Sequence, residues 1–218
     1  FYFGFKVVYH NPLSMALLHI VLSLLTISSL KMVKAMNNSV IDTDGRIVRS
    51  RKYYWMLGEI GGGVNIGSIR NQSSCSTSVV QEEDQASKGM VVTILPAKGK
   101  NSAVQLYSEI VLQFYPVFSA RKVAWSYVWQ VSPFDANNRQ YFVNACAVEG
   151  SPMVSNVGSR FRLETSGDGY VLRNCSPSCR GCKQSCSNVG LYDDNGVKRL
   201  ALSAKPLRFK FQYAPIKF

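Results

Sequence analysis

From residue 40 onward, apolar side chains come in short runs between turn formers, and little of the chain shows the spacing of an amphipathic helix. The final run is the clearest. Leu207, Phe209, Phe211 and Tyr213 point one way, and Arg208, Lys210 and Gln212 the other, because successive side chains of an extended chain face opposite sides. Val123, Trp125, Tyr127, Trp129 and Val131 alternate in the same way, which places their large side chains on one strand face. Residues 53–57, 90–95, 103–114, 141–148, 161–164, 169–173 and 189–192 read as further strands. Gly61-Gly62-Gly63 is a breaker, and Asp194-Asn195-Gly196 marks a tight hairpin, since Asn and Gly tolerate the positive φ such a turn needs. Many short strands between turns predict an all-β sandwich or barrel. No Pro-, Gly- or Ser-rich linker divides residues 40–218, so one domain is expected there, with no internal repeat strong enough to read.

Ahead of these strands, residues 16–30 form an apolar run directly after Met15. It is shorter than the ~20 residues of a membrane span and suits the ~7–15-residue apolar core of an export signal. Val33-Lys34-Ala35 then offers a cleavage site. Residues 1–35 are therefore expected to be a leader with a signal-peptide helix, and 36–218 the mature domain. A buried core helix is the other reading of this run. Export predicts a protein of the extracellular space or vacuole, with no membrane contact once the leader is removed.

Export governs how the six cysteines are read: an even number in an oxidising compartment implies disulfides before metal. Cys175, Cys179, Cys182 and Cys186 contain one zinc-like pair spacing, but structural zinc draws its ligand pairs from separated segments, so no metal is expected. Cys75 and Cys146 either pair with each other or remain free; an exposed thiol is a liability in an exported protein, which favours pairing. Asn37 and Asn71 begin N-glycosylation sequons, and Asn174 begins a third whose middle residue is Cys175.

The formal charge of +12 admits nucleic acid, anionic membrane or an acidic protein as partner. The cations are scattered, however, and the densest cluster is Arg46, Arg49, Arg51 and Lys52, so a solvated basic surface is expected and no nucleic-acid partner. An enzyme is not expected either. His10 and His19 fall in or before the leader, which leaves the mature domain without a Ser–His or Cys–His dyad. Gly61-Gly62-Gly63 lacks the Lys-Ser/Thr of a phosphate loop, Glu82-Glu83 sits in a polar turn, and the stripe Trp125, Tyr127, Trp129 is better spent on core packing than on stacking sugars or bases. No cofactor is implied.

Val40-Ile41-Asp42-Thr43-Asp44-Gly45-Arg46-Ile47-Val48, followed after five residues by Tyr54-Trp55-Met56, resembles the N-terminal signature of the Kunitz soybean-trypsin-inhibitor family. Gly61-Gly62-Gly63 and Cys75 leading to Val79-Val80-Gln81 look like its next landmarks. The stretch from Asn188 to Ser203, with Lys205-Pro206-Leu207, is similar to the family's C-terminal strands, and the cluster of Cys175, Cys179, Cys182 and Cys186 resembles its miraculin-like branch. The resemblance covers roughly residues 40–213. It implies a β-trefoil of twelve strands with pseudo-threefold symmetry, monomeric, that inhibits serine endopeptidases by offering an exposed loop as a substrate would. It also implies nested bridges Cys175–Cys186 and Cys179–Cys182; Cys75 matches a family cysteine whose usual partner is absent from residues 118–121.

The family's reactive loop falls between the runs at 90–95 and 103–114, on Pro96-Ala97-Lys98-Gly99-Lys100-Asn101-Ser102. Trypsin-like enzymes hold an Asp at the base of their specificity pocket, so a loop Lys is the natural anchor: Lys100, with Asn101 after the scissile bond, or else Lys98. The plainer reading is a solvated hairpin loop whose lysines aid solubility. Family inhibitors often support this loop with an Asn at the position of Ser50, and Gly99 loosens the backbone where rigidity matters. These departures keep a second expectation open, a miraculin-like or storage and defence protein of the same fold without inhibition. A basic module for carbohydrate or nucleic acid is the third.

Overall fold

The computed structural model describes residues 19–26, 38–68, 77–96, 103–115, 127–147, 157–175 and 186–216. By its internal contacts the chain divides into residues 1–38 and 39–218. In the first unit residues 19–26 are helical. Ile20, Val21, Leu22, Leu24 and Leu25 on this helix are each more than half exposed. Among the described residues no helix is long and apolar enough to cross a membrane.

The second unit is all-β. Its twelve strands are β1 (Tyr53–Gly58), β2 (Val64–Ser68), β3 (Thr77–Gln81), β4 (Val91–Pro96), β5 (Ile110–Phe114), β6 (Tyr127–Val131), β7 (Val143–Ala147), β8 (Phe161–Ser166), β9 (Gly169–Cys175), β10 (Cys186–Asp194), β11 (Val197–Ser203) and β12 (Arg208–Tyr213). All pairings are antiparallel. Strand β1 pairs β4, β4 pairs β5, β5 pairs β8, β8 pairs β9, β9 pairs β12, and β12 returns to β1, so six strands close a ring. The other six form the hairpins β2–β3, β6–β7 and β10–β11. The pairing pattern therefore repeats with every four strands: the outer two enter the ring and the inner two make a hairpin. Closure leaves the ring without free edges, which a sheet this rich in Val and Phe would otherwise expose.

Inside the ring lie Met56, Ile94, Leu112, Phe161, Leu163, Leu172, Phe209 and Phe211, all essentially without solvent contact. The alternation read in the last strand has this cause: Phe209 and Phe211 face the core, while Lys210 is exposed. Trp129 reaches the same core from the β6–β7 hairpin and meets Phe114 with ring centroids 5.1 Å apart.

The hairpins are joined by one buried cation. Arg199 of β11 donates from Nη1 to Asp194 Oδ2 at 2.6 Å and from Nε to Ser78 Oγ of β3 at 3.0 Å. Its guanidinium carbon lies 3.5 Å from the ring centroid of Phe142, which precedes β7.

Three local readings change. The run at 103–114 is not one strand: Ala103 and Gln105 make isolated bridges, Tyr107 takes a φ of 61°, and β5 begins only at Ile110. On β6 the face opposite Trp129 is buried too, because Val128 packs with Val111 and Leu95 in a second, smaller cluster. Val123 and Trp125 lie outside the described residues. The Gly triplet does more than break a strand: a Cβ on Gly63 would sit 1.9 Å from Lys88 O, and one on Gly62 2.2 Å from Asp84 O. Only glycine lets this backbone press against residues 82–88, where Gly62 N bonds Glu82 O and Gly63 N bonds Ser87 O, both at 2.8 Å. Asn195 (φ 54°) and Gly196 (φ 87°) form the two-residue turn of β10–β11.

Candidate functional site

The connection singled out by the sequence leaves β4 and leads through the irregular leg at 103–109 to β5. β4 and β5 are in register from Val92↔Phe114 to Pro96↔Ile110. Pro96 ends β4 half-buried; Ala97, Lys98, Gly99, Lys100, Asn101 and Ser102 lie outside the described residues.

Both feet of this connection are fixed. On the upstream side Ile94 is fully buried, and its carbonyl accepts a hydrogen bond from Arg51 N at 3.1 Å. Downstream, Ala103 bridges Arg49 and Gln105 bridges Ser39. Val104, between them, donates its N–H to Val48 O at 2.8 Å and accepts from Val40 N at 2.9 Å, with its side chain in the core. Gln105 Nε2 also donates to Ser39 Oγ at 3.0 Å. One segment, residues 48–51, thus grips the downstream foot through Val48 and Arg49 and the upstream foot through Arg51.

The sequence puts this clasp in place through a turn and two phenols. Asp42 Oδ1 accepts from Asp44 N at 3.0 Å and Arg46 N at 2.8 Å, Gly45 takes a φ of 76°, and the chain doubles back so that Ile47 bridges Ile41. An Asp that bonds the backbone two residues on is the usual start of such a turn. Tyr54 Oη then accepts from Arg49 N at 2.9 Å, and Tyr170 Oη accepts from Ile41 N at 2.8 Å. Burial pushes the Tyr54 phenol above its ordinary value, against the opposing pull of the Arg49 hydrogen bond.

Ser50 occupies the middle of the clasp. It is 5% exposed, and its Oγ makes no hydrogen bond; Thr93 Oγ1 on β4 is buried and unbonded as well. Arg51 follows with a φ of 61°, the left-handed conformation that non-glycine residues seldom adopt. Sequence reading singled out Ser50 but missed Val48, Arg49, Tyr54 and Tyr170, because isolated bridges and single hydroxyl clamps have no periodicity to betray them.

The remaining candidates are placed as follows. Cys175 and Cys186 face each other across β9 and β10 and are joined by a disulfide, Cα atoms 4.1 Å apart. Cys146 on β7 is disulfide-bonded to a partner outside the described residues. Cys75, Cys179, Cys182, Asn37 and Asn71 also lie outside them. Asn174 is buried on β9, where its amide donates to Arg160 O at 2.8 Å, a poor position for a glycan on the folded chain. Glu82 is not simply solvated, since its carboxylate accepts the Asn65 amide.

The profile of the legume Kunitz family, described as trypsin and protease inhibitor, matches residues 40–213. Kunitz trypsin inhibitor 5 of Arabidopsis thaliana is 29% identical over 178 residues, spanning 80% of this chain and 85% of its own. Miraculin of Synsepalum dulcificum is 31% identical over 182 residues, 80% of this chain and 82% of its own. Among solved structures, soybean trypsin inhibitor in complex with porcine pancreatic trypsin superposes with a TM-score of 0.64 at 23% identity, covering 81% of this chain and 99% of that one. The match to the family profile runs from the Asp42 turn, which doubles the chain back to grip the β4–β5 connection, to the strand that seals the ring, and the chain belongs to the legume Kunitz family of trypsin and protease inhibitors.

Proposed function

We propose that the protein inhibits serine-type endopeptidases by presenting residues 96–102 as a substrate-like loop, with Lys100 as the anchor in a trypsin-like specificity pocket. The observation that carries this reading is the double grip of residues 48–51 on both feet of the loop. A loop whose ends are already ordered loses little conformational entropy on docking, and that saving appears as affinity. The fold is read as a β-trefoil, supported by the equivalence of β1–β4, β5–β8 and β9–β12, each with its outer strands paired. Residues 1–35 are read as an export leader and the mature domain as a monomer of the extracellular space or vacuole; the apolar helix at 19–26 is consistent with that leader.

Titration against trypsin, chymotrypsin and a cysteine peptidase tests the proposal. Trypsin inhibition is expected, with Lys100→Ala weakening it at least about a hundredfold through loss of the buried ion pair in the pocket and Lys98→Ala changing it little. If both substitutions leave inhibition untouched, the loop assignment is wrong. The second reading, a miraculin-like protein of the same fold without inhibition, is favoured by one observation: Ser50 Oγ, at the position of the family's supporting Asn, bonds nothing. Failure to slow any of the three peptidases decides for it.

A further inference from the structure

Eight of the described Arg and Lys side chains hold a carboxylate within ion-pairing distance, and Lys88 lies over the ring of Trp55. Five hold neither: Arg49, Arg51, Lys52, Arg139 and Lys205. Three of these five fall in the four-residue turn 49–52, all of them exposed at the surface. Arg46, Arg49 and Lys52 also line an open cleft of about 350 Å³ whose other walls include Tyr54, Tyr213 and Asp42. Asp44 already pairs with Arg46, and Asp42 does not neutralise the rest, since one carboxylate faces both Arg49 and Lys52 and its Oδ1 already accepts two backbone hydrogen bonds.

Resting on the loop reading above, we propose that this turn and cleft form a second contact surface. It meets carboxylates on the rim of the target's active-site cleft and so selects acidic-rimmed enzymes among the trypsin-like peptidases. Position argues for it first. The residues that carry the unpaired charge also hold the loop: Arg49 bridges Ala103, and Arg51 N bonds Ile94 O. Any protein seated on the loop brings its rim to these side chains without further search, at the high effective concentration of an intramolecular contact. Rigidity argues for it next. Arg46, Arg49 and Arg51 each have their backbone N–H fixed, by Asp42 Oδ1, Tyr54 Oη and Ile94 O, so only side-chain torsions remain to be ordered. Charge decides the partner's chemistry: cations without internal partners project their field outward, and complementary rims mainly accelerate encounter. A sulfated glycan would satisfy the same charges, but nothing ties it to the feet of the loop.

The test measures association and dissociation rates with an anionic and a cationic trypsin, from about 20 to 500 mM NaCl, a range over which screening becomes strong. Wild type is compared with Lys52→Gln, the pair Arg49→Gln/Lys52→Gln and the charge-reversed pair Arg49→Glu/Lys52→Glu, each checked for folding by its thermal transition. Against the anionic enzyme at low salt, the neutralised pair is expected to associate about tenfold more slowly and the reversed pair more slowly still. Dissociation stays within about twofold, the difference disappears at high salt, and the cationic enzyme is insensitive throughout. Equal rates for wild type and the pair, or the same slowing with both enzymes, overturn the inference while leaving the loop reading intact. If wild type inhibits neither enzyme, the loop reading fails and the inference falls with it. Retention on heparin that the pair loses, with peptidase association unchanged, assigns the turn to a sulfated glycan instead and also overturns it.

Discussion

Two buried polar side chains show how single residues set the properties of this protein. Arg199 is almost fully buried, whereas Asp194, its partner, keeps about a quarter of its side chain in water. Removing the acid strands a charge without solvent; replacing the base with an apolar side chain leaves a carboxylate that water can still reach. Asp194→Ala is therefore expected to cost about 3–5 kcal/mol in urea unfolding and Arg199→Met less than half of that, the opposite of a ranking by side-chain size. At Ser50 the question is affinity. Ser50→Asn adds an amide at the centre of the clasp, and one further neutral hydrogen bond to the loop, worth about 0.5–1.5 kcal/mol, should tighten trypsin inhibition roughly 2–10-fold. An unchanged inhibition constant would show that the loop draws no support from this position. Ser50 was legible in the sequence because a family pattern marks its place. Arg199 was not: on β11 it looks like any polar residue on an outward face, and only the meeting of three hairpins buries it.

At the scale of strands, what could be read depended on how each strand is covered. β12 faces core on one side and water on the other, and its alternation gave it away. β1 and β4 were legible from aromatic and β-branched runs. β2 was not, since the two core-facing residues of the short Val64–Ser68, Val64 and Ile66, are separated and followed by Asn65 and Gly67 and make no apolar run. The 103–114 run misled because Val104 and Leu106 enter the core from an irregular leg that is held by bridges to two other segments instead of a ladder. The β9–β10 junction carries the Cys175–Cys186 disulfide with a sequence separation of 11. Closing so short a loop restricts the unfolded chain, and Cys175→Ser with Cys186→Ser is expected to lower unfolding stability by about 2–3 kcal/mol, with inhibition of trypsin retained because the clasp at 48–51 lies ahead of β1 and makes its contacts with residues 94 and 103–104.

Over the whole molecule, acid should be more damaging than base. Asp135, Asp168 and Asp193 are all held below the ordinary carboxylate value: Asp135 by the backbone and side chain of Asn138, Asp168 by Lys210, and Asp193 by Lys198. A carboxyl that ionises more readily when folded binds fewer protons than its unfolded counterpart, so its contribution is complete above the unfolded value and disappears as pH falls through the folded one. The thermal transition is expected to be flat above about pH 5 and to drop below about pH 4, in a scan from pH 7 to pH 2. These are surface groups, and salt should blunt the drop. The threefold recurrence of pairings belongs to this scale alone. Equivalent strands share their pairing but neither residue type nor burial pattern, which is why no repeat surfaced in the sequence.

The ring is sealed between β1 and β12, which pair from Tyr54↔Tyr213 to Gly58↔Phe209, while Thr43 N bonds Phe211 O. The first and the twelfth strand are neighbours, so nothing short of nearly the whole domain can close. A chain emerging from the ribosome would hold β1 and β9 each open along one side until residue 213 had cleared the exit tunnel, and then complete its barrel in one late step. Quality control in a cell making this protein therefore faces a long-lived open sheet during synthesis and a sealed one afterwards, with little in between.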